Sequence, residues 1–392
     1  MNIPKIRFKQ NNGENFPDWA QVKIYSLGEF IRGQTYSRDQ VTLDPSATFI
    51  VRSSNLIDGW FVDFCKDKQL ANVEVSDNEL LKSGDVVICT ANGSTSLVGK
   101  ASIYDGRYSG SISWGAFCSV FRSNQEAPLA KYFFRTPRYR KLITSMKQGG
   151  NGALGNLNVK EITNVSIPFP CAEEQQKIAS FFSTLDQKIE LNERKVEALE
   201  KLKKGIVQKI FTQEIRFKDK NGNQFPNWCS KKLLYVAPLQ RGFDLPNSNL
   251  VPGSFPVVYS NGINFSHNSY KCEGEAVITG RSGTIGRVTY LPNCRYWPHN
   301  TTLWVTNFFN NIPKFIYYLY QYIDLHRFST GTGVPTLNRN IIHDFVVTIP
   351  IRDEQLKISQ FLTTIDTKIN TAKLRLERLQ ELKKGFMQQM FV

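Results

Sequence analysis

The 392-residue chain is poor in the residue types that build covalent or metal-stapled folds. Its seven cysteines (Cys65, Cys89, Cys118, Cys171, Cys229, Cys272 and Cys294) are scattered, with no CxxC pair, and its four histidines are isolated. Both facts argue against a disulfide framework and against zinc. No run of about 18 apolar residues occurs, and the opening MNIPKIRF lacks the apolar stretch of a signal peptide. Neither a membrane span nor secretion is expected, and the expected location is cytoplasmic. Acidic residues are short by comparison with basic ones, 34 against 49, for a formal net charge of +15. With 41% apolar and 21% charged residues the chain is nonetheless an ordinary folding composition, long enough for two or three cores.

What is present is a duplication. Residues 170–211 align without a gap to 350–391, with 18 identities in 42 positions. A second echo opens each copy: IRFKQNNGENFPDW at 6–19 returns as IRFKDKNGNQFPNW at 215–228, keeping the pairs Gly13/Gly222, Pro17/Pro226 and Trp19/Trp228. The offset between matching landmarks falls from 209 at that motif to 190 at Gly84/Gly274, 185 at Pro128/Pro313 and 180 at Leu157/Leu337. The segments between the landmarks have diverged in length while the repeats at their ends have not. The order reads as globular 1–169, helix 170–212, globular 213–349, helix 350–392.

The repeats carry helical periodicity. Ile178, Phe182, Leu185, Ile189, Val196, Leu199, Ile206 and Ile210 follow steps of four and three, with Asn192 in the polar gap. Ile358, Leu362, Ile365, Ile369, Ala372, Leu376, Leu379, Phe386 and Met390 do the same. Acidic residues open each helix (Glu173, Glu174; Asp353, Glu354) and lysines close it (Lys203, Lys204; Lys383, Lys384), which suits the helix dipole. Forty residues make a rod of roughly 60 Å, and one apolar stripe cannot stand alone in water. Two pairings satisfy it: an antiparallel pair within the chain, which implies pseudo-twofold symmetry and a ruler between the globular parts, or a parallel coiled coil between two chains. Phe181, Leu202, Val207, Phe361, Leu382 and Met387 fall off the seam and are candidates for docking other proteins. Gly205 and Gly385 mark either a close helix crossing or a local helix end.

The globular parts mix strand patterns (85–90, 111–121, 275–279, 302–306) with helical ones (128–147, 313–328), an α/β or α+β class without repeating βαβ units. By segment, the excess positive charge is +5 in 1–170 and +6 in 212–350, against +1 and +3 in the helices. That balance suits a polyanion, since Lys and Arg on phosphates release counterions, although a generically basic surface would give the same count. Two loops stand out. TANGSTSLVGK (90–100) offers Asn92, Ser94, Thr95, Ser96 and Lys100; TGRSGTIGRV (279–288) offers Arg281, Ser282, Thr284 and Arg287. Their hydroxyl, amide and guanidinium groups bond phosphates and base edges; the same composition also serves plain turns. A second matched pair, GGNGALGNLN (149–158) and GTGVPTLNRN (331–340), places Lys147, Asn151, Asn156 and Arg339 within reach of a DNA backbone. The aromatic clusters Tyr132, Phe133, Phe134 and Tyr317, Tyr318, Tyr320, Tyr322 sit at helical spacing and are assigned to the core.

Catalytic signatures are missing: no HExxH, no Gly-x-Ser-x-Gly, no Gly-x4-Gly-Lys-Ser/Thr, no Asn-Pro-Pro-aromatic run, no acidic-plus-lysine nuclease cluster. The chain does not read as an enzyme.

Taken together, the chain resembles the DNA specificity subunit of type I restriction-modification systems. The resemblance covers its whole length and rests on the two variable parts and on the helices entered through Pro-x-x-x-Glu-Gln and continued by Lys-Ile. Those residues are Pro170, Glu174, Gln175, Lys177, Ile178, and Pro350, Glu354, Gln355, Lys357, Ile358. GRSGTIG at 280–286 is also similar to that family's recognition domains, whereas the longer ANGSTSLVG at 91–99 departs from it. The resemblance implies two target-recognition domains, each reading half of a split, asymmetric site on double-stranded DNA, with the helices setting the gap. It further implies partners that do the chemistry: two methyltransferase subunits binding S-adenosylmethionine, and restriction/translocase subunits using ATP and Mg2+. No cofactor is expected in this chain itself. The other classes left open are a solitary methyltransferase or nuclease with its own recognition domain, and a coiled-coil scaffold.

Overall fold

In the computed structural model, which describes residues 4–146, 155–330 and 335–391, the chain divides into two compact units. Unit 1 is Met1–Leu191 with Arg375–Val392, and unit 2 is Asn192–Leu374. The four segments read from the sequence are therefore not the compact bodies: each unit takes part of both long helices. The reason is the apolar stripe, which buries against the neighbouring globular part as well as along the helix pair.

The main sheet of unit 1 contains β1 (Gly28–Arg32), β2 (Trp60–Phe61), β3 (Val86–Cys89), β4 (Ala101–Ile103) and β5 (Cys118–Ser123), in the order β1-β5-β3-β4-β2. Its central strand has no polar face. Val86 and Ile88 enter one core with Phe121, Phe134 and Tyr139, while Val87 and Cys89 enter another with Trp114 and Val120. Period-two side chains with cover on both sides explain the uninterrupted run VVIC. The sequence reading of one helix over 128–147 needs correction. Ala130–Phe133 is a single turn, and a new helix, α1 (Pro137–Met146), starts at the proline, whose ring cannot continue the preceding turn.

Unit 2 carries a six-stranded sheet of β6 (Leu239–Arg241), β7 (Pro252–Tyr259), β8 (Gly262–His267), β9 (Cys272–Gly280), β10 (Val288–Pro298) and β11 (Thr302–Val305). Their order is β6-β11-β9-β10-β7-β8. In β9, Ala276 and Ile278 face one apolar cluster and Val277 the other. A helix, labelled α3 after the long α2 (Ala172–Phe211), spans Pro313–Ile323 and buries Phe315, Ile316, Tyr318, Leu319 and Tyr320. It stops at Asp324, in the left-handed region at φ 53°, so the helix read to 328 ends five residues early. Tyr132, Phe133, Phe134, Tyr318 and Tyr320 are core, as read, and Tyr317 is half-buried, but Tyr322 is corrected: it is exposed, on the outer face of the helix, with its ring stacked on Phe211 at 4.7 Å.

Helix α2 and its repeat α4 (Arg352–Met390) pair antiparallel in each unit. In unit 1 the first part of α2 meets the end of α4: Phe181 lies 5.0 Å from Phe386, and Asp186 pairs with Lys383. In unit 2 the end of α2 meets the first part of α4, with Lys203 on Asp366 and Lys373 on Glu200, each at 2.6 Å. Of the late lysines, Lys203 and Lys383 thus act as side-chain partners more than as dipole counter-charges. Gly205 and Gly385 mark neither a crossing nor an end. Both helices run on past them, and a Cβ built there meets nothing within 4 Å.

The repeated motifs explain one another. Glu174 is wholly buried and receives Arg7 Nε at 3.0 Å, Arg7 Nη2 at 2.7 Å and Trp19 Nε1 at 3.0 Å. Glu354 is equally buried and receives Arg216 Nε at 2.8 Å, Arg216 Nη2 at 2.9 Å and Trp228 Nε1 at 3.1 Å. Gln175 and Gln355 donate back to the carbonyls of Pro170 and Pro350 at 2.9 and 3.0 Å. Gly13 and Gly222, at φ 87° and 85°, make the tight turn that returns the arm to its helix. The Glu-Gln signature is a clamp between each opening arm and its helix start.

Candidate nucleic-acid interface

The two loops read separately in each half come together. In unit 1, Ala91–Asn92 pairs antiparallel with Gly155–Asn156, and the Leu157 N–H donates to the Thr90 carbonyl at 2.9 Å. In unit 2, Ser282 bridges Thr336, and the Leu337 N–H donates to the Arg281 carbonyl at 2.8 Å. The same bond places Thr90 and Arg281 at equivalent positions. The loops close alike, Gly99 N–H on the Cys89 carbonyl at 2.7 Å and Gly286 N–H on the Gly280 carbonyl at 3.3 Å. Nine residues lie within the first closure and five within the second, so the first loop carries four extra residues on a common base. Gly280 is dictated by this closure: a Cβ there would lie 1.8 Å from the Thr284 carbonyl oxygen.

The candidate residues divide by what already holds them. Asn92 is half-buried, with its amide oxygen taken by the Ser94 N–H at 2.9 Å and its Nδ2 donating to Ser53 Oγ at 2.9 Å. It supports the loop from inside, an Asx turn rather than a free edge reader. Ser94 and Ser96 are exposed and hydrogen-bonded to each other at 2.7 Å, Thr95 is exposed, and Lys100 is half-buried. Arg281 is half-buried and donates to the Asn300 carbonyl at 3.4 Å; Arg287 is exposed and donates to the Asn261 carbonyl. Thr284 and Arg339 are exposed, Ser282 half-buried, and Asn156 exposed beside the first loop. Lys147 and Asn151 lie outside the described residues.

Several polar residues that the sequence reading passed over meet here. The Thr301 carbonyl accepts from the N–H groups of Arg281 (2.8 Å) and Ser282 (3.2 Å), and Thr301 Oγ1 accepts from the Ser260 N–H at 3.3 Å. This draws the 299–301 turn and the β7–β8 hairpin tip to the loop. His299 stands at 4.4 Å from the Tyr259 ring, and burial holds its imidazole below the ordinary value. No local motif announces these contacts, because each joins residues 19 to 41 positions apart in sequence.

Of the docking candidates on the helices, Met387 is corrected: at 5% exposure it is part of the unit 1 core. The turn of α4 that carries it faces inward. Phe181 is half-buried against Phe8 and Phe386, and Val207 packs on the unit 2 core. Leu202, Phe361 and Leu382 remain exposed, and Leu191, Leu356 and Leu374 are exposed as well. Among the described residues no group of His, Cys, Asp and Glu is placed to hold a metal ion, and no helix is long and apolar enough to cross a membrane.

Comparison with known proteins accounts for the doubled architecture. The family model for the type I restriction modification DNA specificity domain matches twice, over residues 17–201 and 227–381. The chain belongs to this family. Among relatives of the specificity family, the StySPI specificity subunit of Salmonella potsdam is 26% identical over 209 residues, 52% of this chain and 44% of that protein. That alignment thus spans less than half the length of the relative. The MjaVIII specificity subunit of Methanocaldococcus jannaschii aligns more fully, at 22% identity across 97% of this chain and 94% of its own. The crystal structure of the type I restriction-modification system S subunit from M. genitalium covers 100% of this chain and 99% of its own, with a TM-score of 0.65 at 15% identity. At that identity the likeness is one of fold.

Proposed function

We propose that this chain is the non-catalytic DNA specificity subunit of a type I restriction-modification complex, and that its two units each read one half of a bipartite, asymmetric site. The observation that carries this reading is the double match to the specificity domain, each match covering most of one unit, combined with a loop of different length on the same base in each. Equal frames with unequal loops are what two half-sites of different sequence require. The exposed or part-exposed Arg281, Arg339 and Lys100 supply phosphate or base contacts, and the exposed Ser94, Thr95, Ser96 and Thr284 hydroxyls supply shorter ones.

In this reading the chemistry belongs to partners. Two methyltransferase subunits carry S-adenosylmethionine and methylate adenine, and restriction/translocase subunits carry ATP and Mg2+, all working in the cytoplasm. The exposed helix residues Leu202, Phe361 and Leu382 are offered as part of the docking surface.

The test is a methylome map from cells expressing this chain with its methyltransferase partner, against cells lacking it. A new N6-methyladenine motif of two short half-sites with a fixed gap is expected. A formed complex without any new motif would leave a scaffold, and methylation by the chain alone would make it an enzyme.

A further inference from the structure

The hairpin tip of unit 2 lies beside the recognition loop for a reason that turn chemistry does not supply. Strands β7 and β8 pair Tyr259 with Gly262, leaving Ser260 and Asn261 as a two-residue turn. A hairpin end that serves only as a turn is left to water. This one is claimed from both sides: Arg287 Nη1 donates to the Asn261 carbonyl, and the Ser260 N–H donates to Thr301, whose own carbonyl holds Arg281 and Ser282. The Arg287 guanidinium lies over Gly262, where a Cβ would come within 3.1 Å of it.

The tip presents two exposed amides. Asn264 Nδ2 donates to Asn261 Oδ1 at 2.5 Å, a bond that uses neither the Asn261 Nδ2 donors nor the Asn264 Oδ1 acceptor, and both residues are exposed. A donor beside an acceptor is the complement of adenine in the major groove, where N7 accepts and the N6 amino group donates; no other base edge there matches that pairing as well.

Resting on the proposed function, we infer that this tip is a second base-reading element of unit 2. Asn261 and Asn264 read an A·T pair next to the positions read by the 280–286 loop. Arg287 is a positioning residue that fixes the tip against that loop.

Methylome maps of the full chain with its methyltransferase partner test this, with Asn261→Ala, Asn264→Ala and Arg287→Lys each compared with the unaltered chain. Each asparagine variant is expected to lose a discrimination of roughly 5- to 150-fold at one A·T position of one half-site, leaving the other half-site intact as an internal control. Arg287→Lys keeps the charge and loses the brace, so the same position is expected to relax. An unaltered motif from both asparagine variants would overturn the inference, as would methylation lost evenly from all sites. An unaltered motif from Arg287→Lys alone would reduce Arg287 to a phosphate contact and overturn its positioning role. No motif from the unaltered chain would count against the proposed function instead.

Discussion

Arg216→Ala removes the only guanidinium from a carboxylate that water cannot reach. Glu354 is 0% exposed and receives three side-chain hydrogen bonds, two of them from Arg216. After the substitution only the Trp228 Nε1 bond remains of these, and the arm loses the Arg216 links to the Phe225 and Pro226 carbonyls. Breaking a buried pair from one side costs about 3–5 kcal/mol, since the remaining charge has neither a counter-ion nor solvent. With an m-value of about 2–3 kcal/mol per molar, the urea midpoint of the unit 2 transition is expected to fall by roughly 1–2.5 M. Tryptophan fluorescence reports it, because Trp228 belongs to the clamp. Adding Glu354→Gln should return a large part of the loss by removing the stranded charge, and the coupling in that cycle isolates the charge from the lost packing. A loss below about 1 kcal/mol for Arg216→Ala, or no recovery in the double variant, would refute the clamp as an electrostatic element.

Arg7→Ala should act equally on unit 1, because Glu174 is held by the same three bonds; two equal but separate transitions in urea would show it. Gly205→Ala and Gly385→Ala fill open space in helix interiors and should each stabilise by about 1 kcal/mol, read as a rise in urea midpoint; a decrease would restore a packing role. His343 Nε2 lies 2.9 Å from the Leu239 N–H, and burial lowers its pKa below the ordinary value. The unfolded chain, titrating near 6.5, therefore binds a proton that the folded unit resists. The His343 contribution is complete above about pH 7 and is lost as pH falls through 6.5 toward the lowered folded value. Melting curves of His343→Asn should show a shallower decline over that window. Arg339→Ala should reduce the slope of log affinity against log salt by about 1 without changing the recognised motif, and an altered motif would place Arg339 among the base readers.

The long helices were legible because periodicity needs no tertiary information: Ile178, Phe182, Ile358 and Leu362 were read from spacing and are all buried. The echoes at Trp19/Trp228 and Glu174/Glu354 were visible as repeats, yet their joint purpose was not. A carboxylate at a helix start looks like a dipole partner until an arm more than a hundred residues away in sequence is folded over it. Met387 was misplaced for a related reason, since an apolar residue off a two-helix seam faces solvent only if no globular core lies on that side. Pro137 did carry a local signal for the break in 128–147, outweighed by the apolar run around it. Asn261, Asn264 and Thr301 carried none; their places depend on β7, β8 and β10 reaching the loop after Gly280, which is set by strand register alone.

Because unit 1 is closed by residues 375–392, its chain order and its folding order differ. A nascent polypeptide presenting the first 191 residues lacks Phe386, Met387 and Met390, which complete the same apolar cluster as Phe182 and Tyr139. Unit 2, continuous in sequence, has all its parts once residue 374 has been made. The ribosome therefore delivers the later unit whole before the earlier one can finish, and until then an unfinished apolar face waits, exposed to chaperones and to mispairing with another nascent chain.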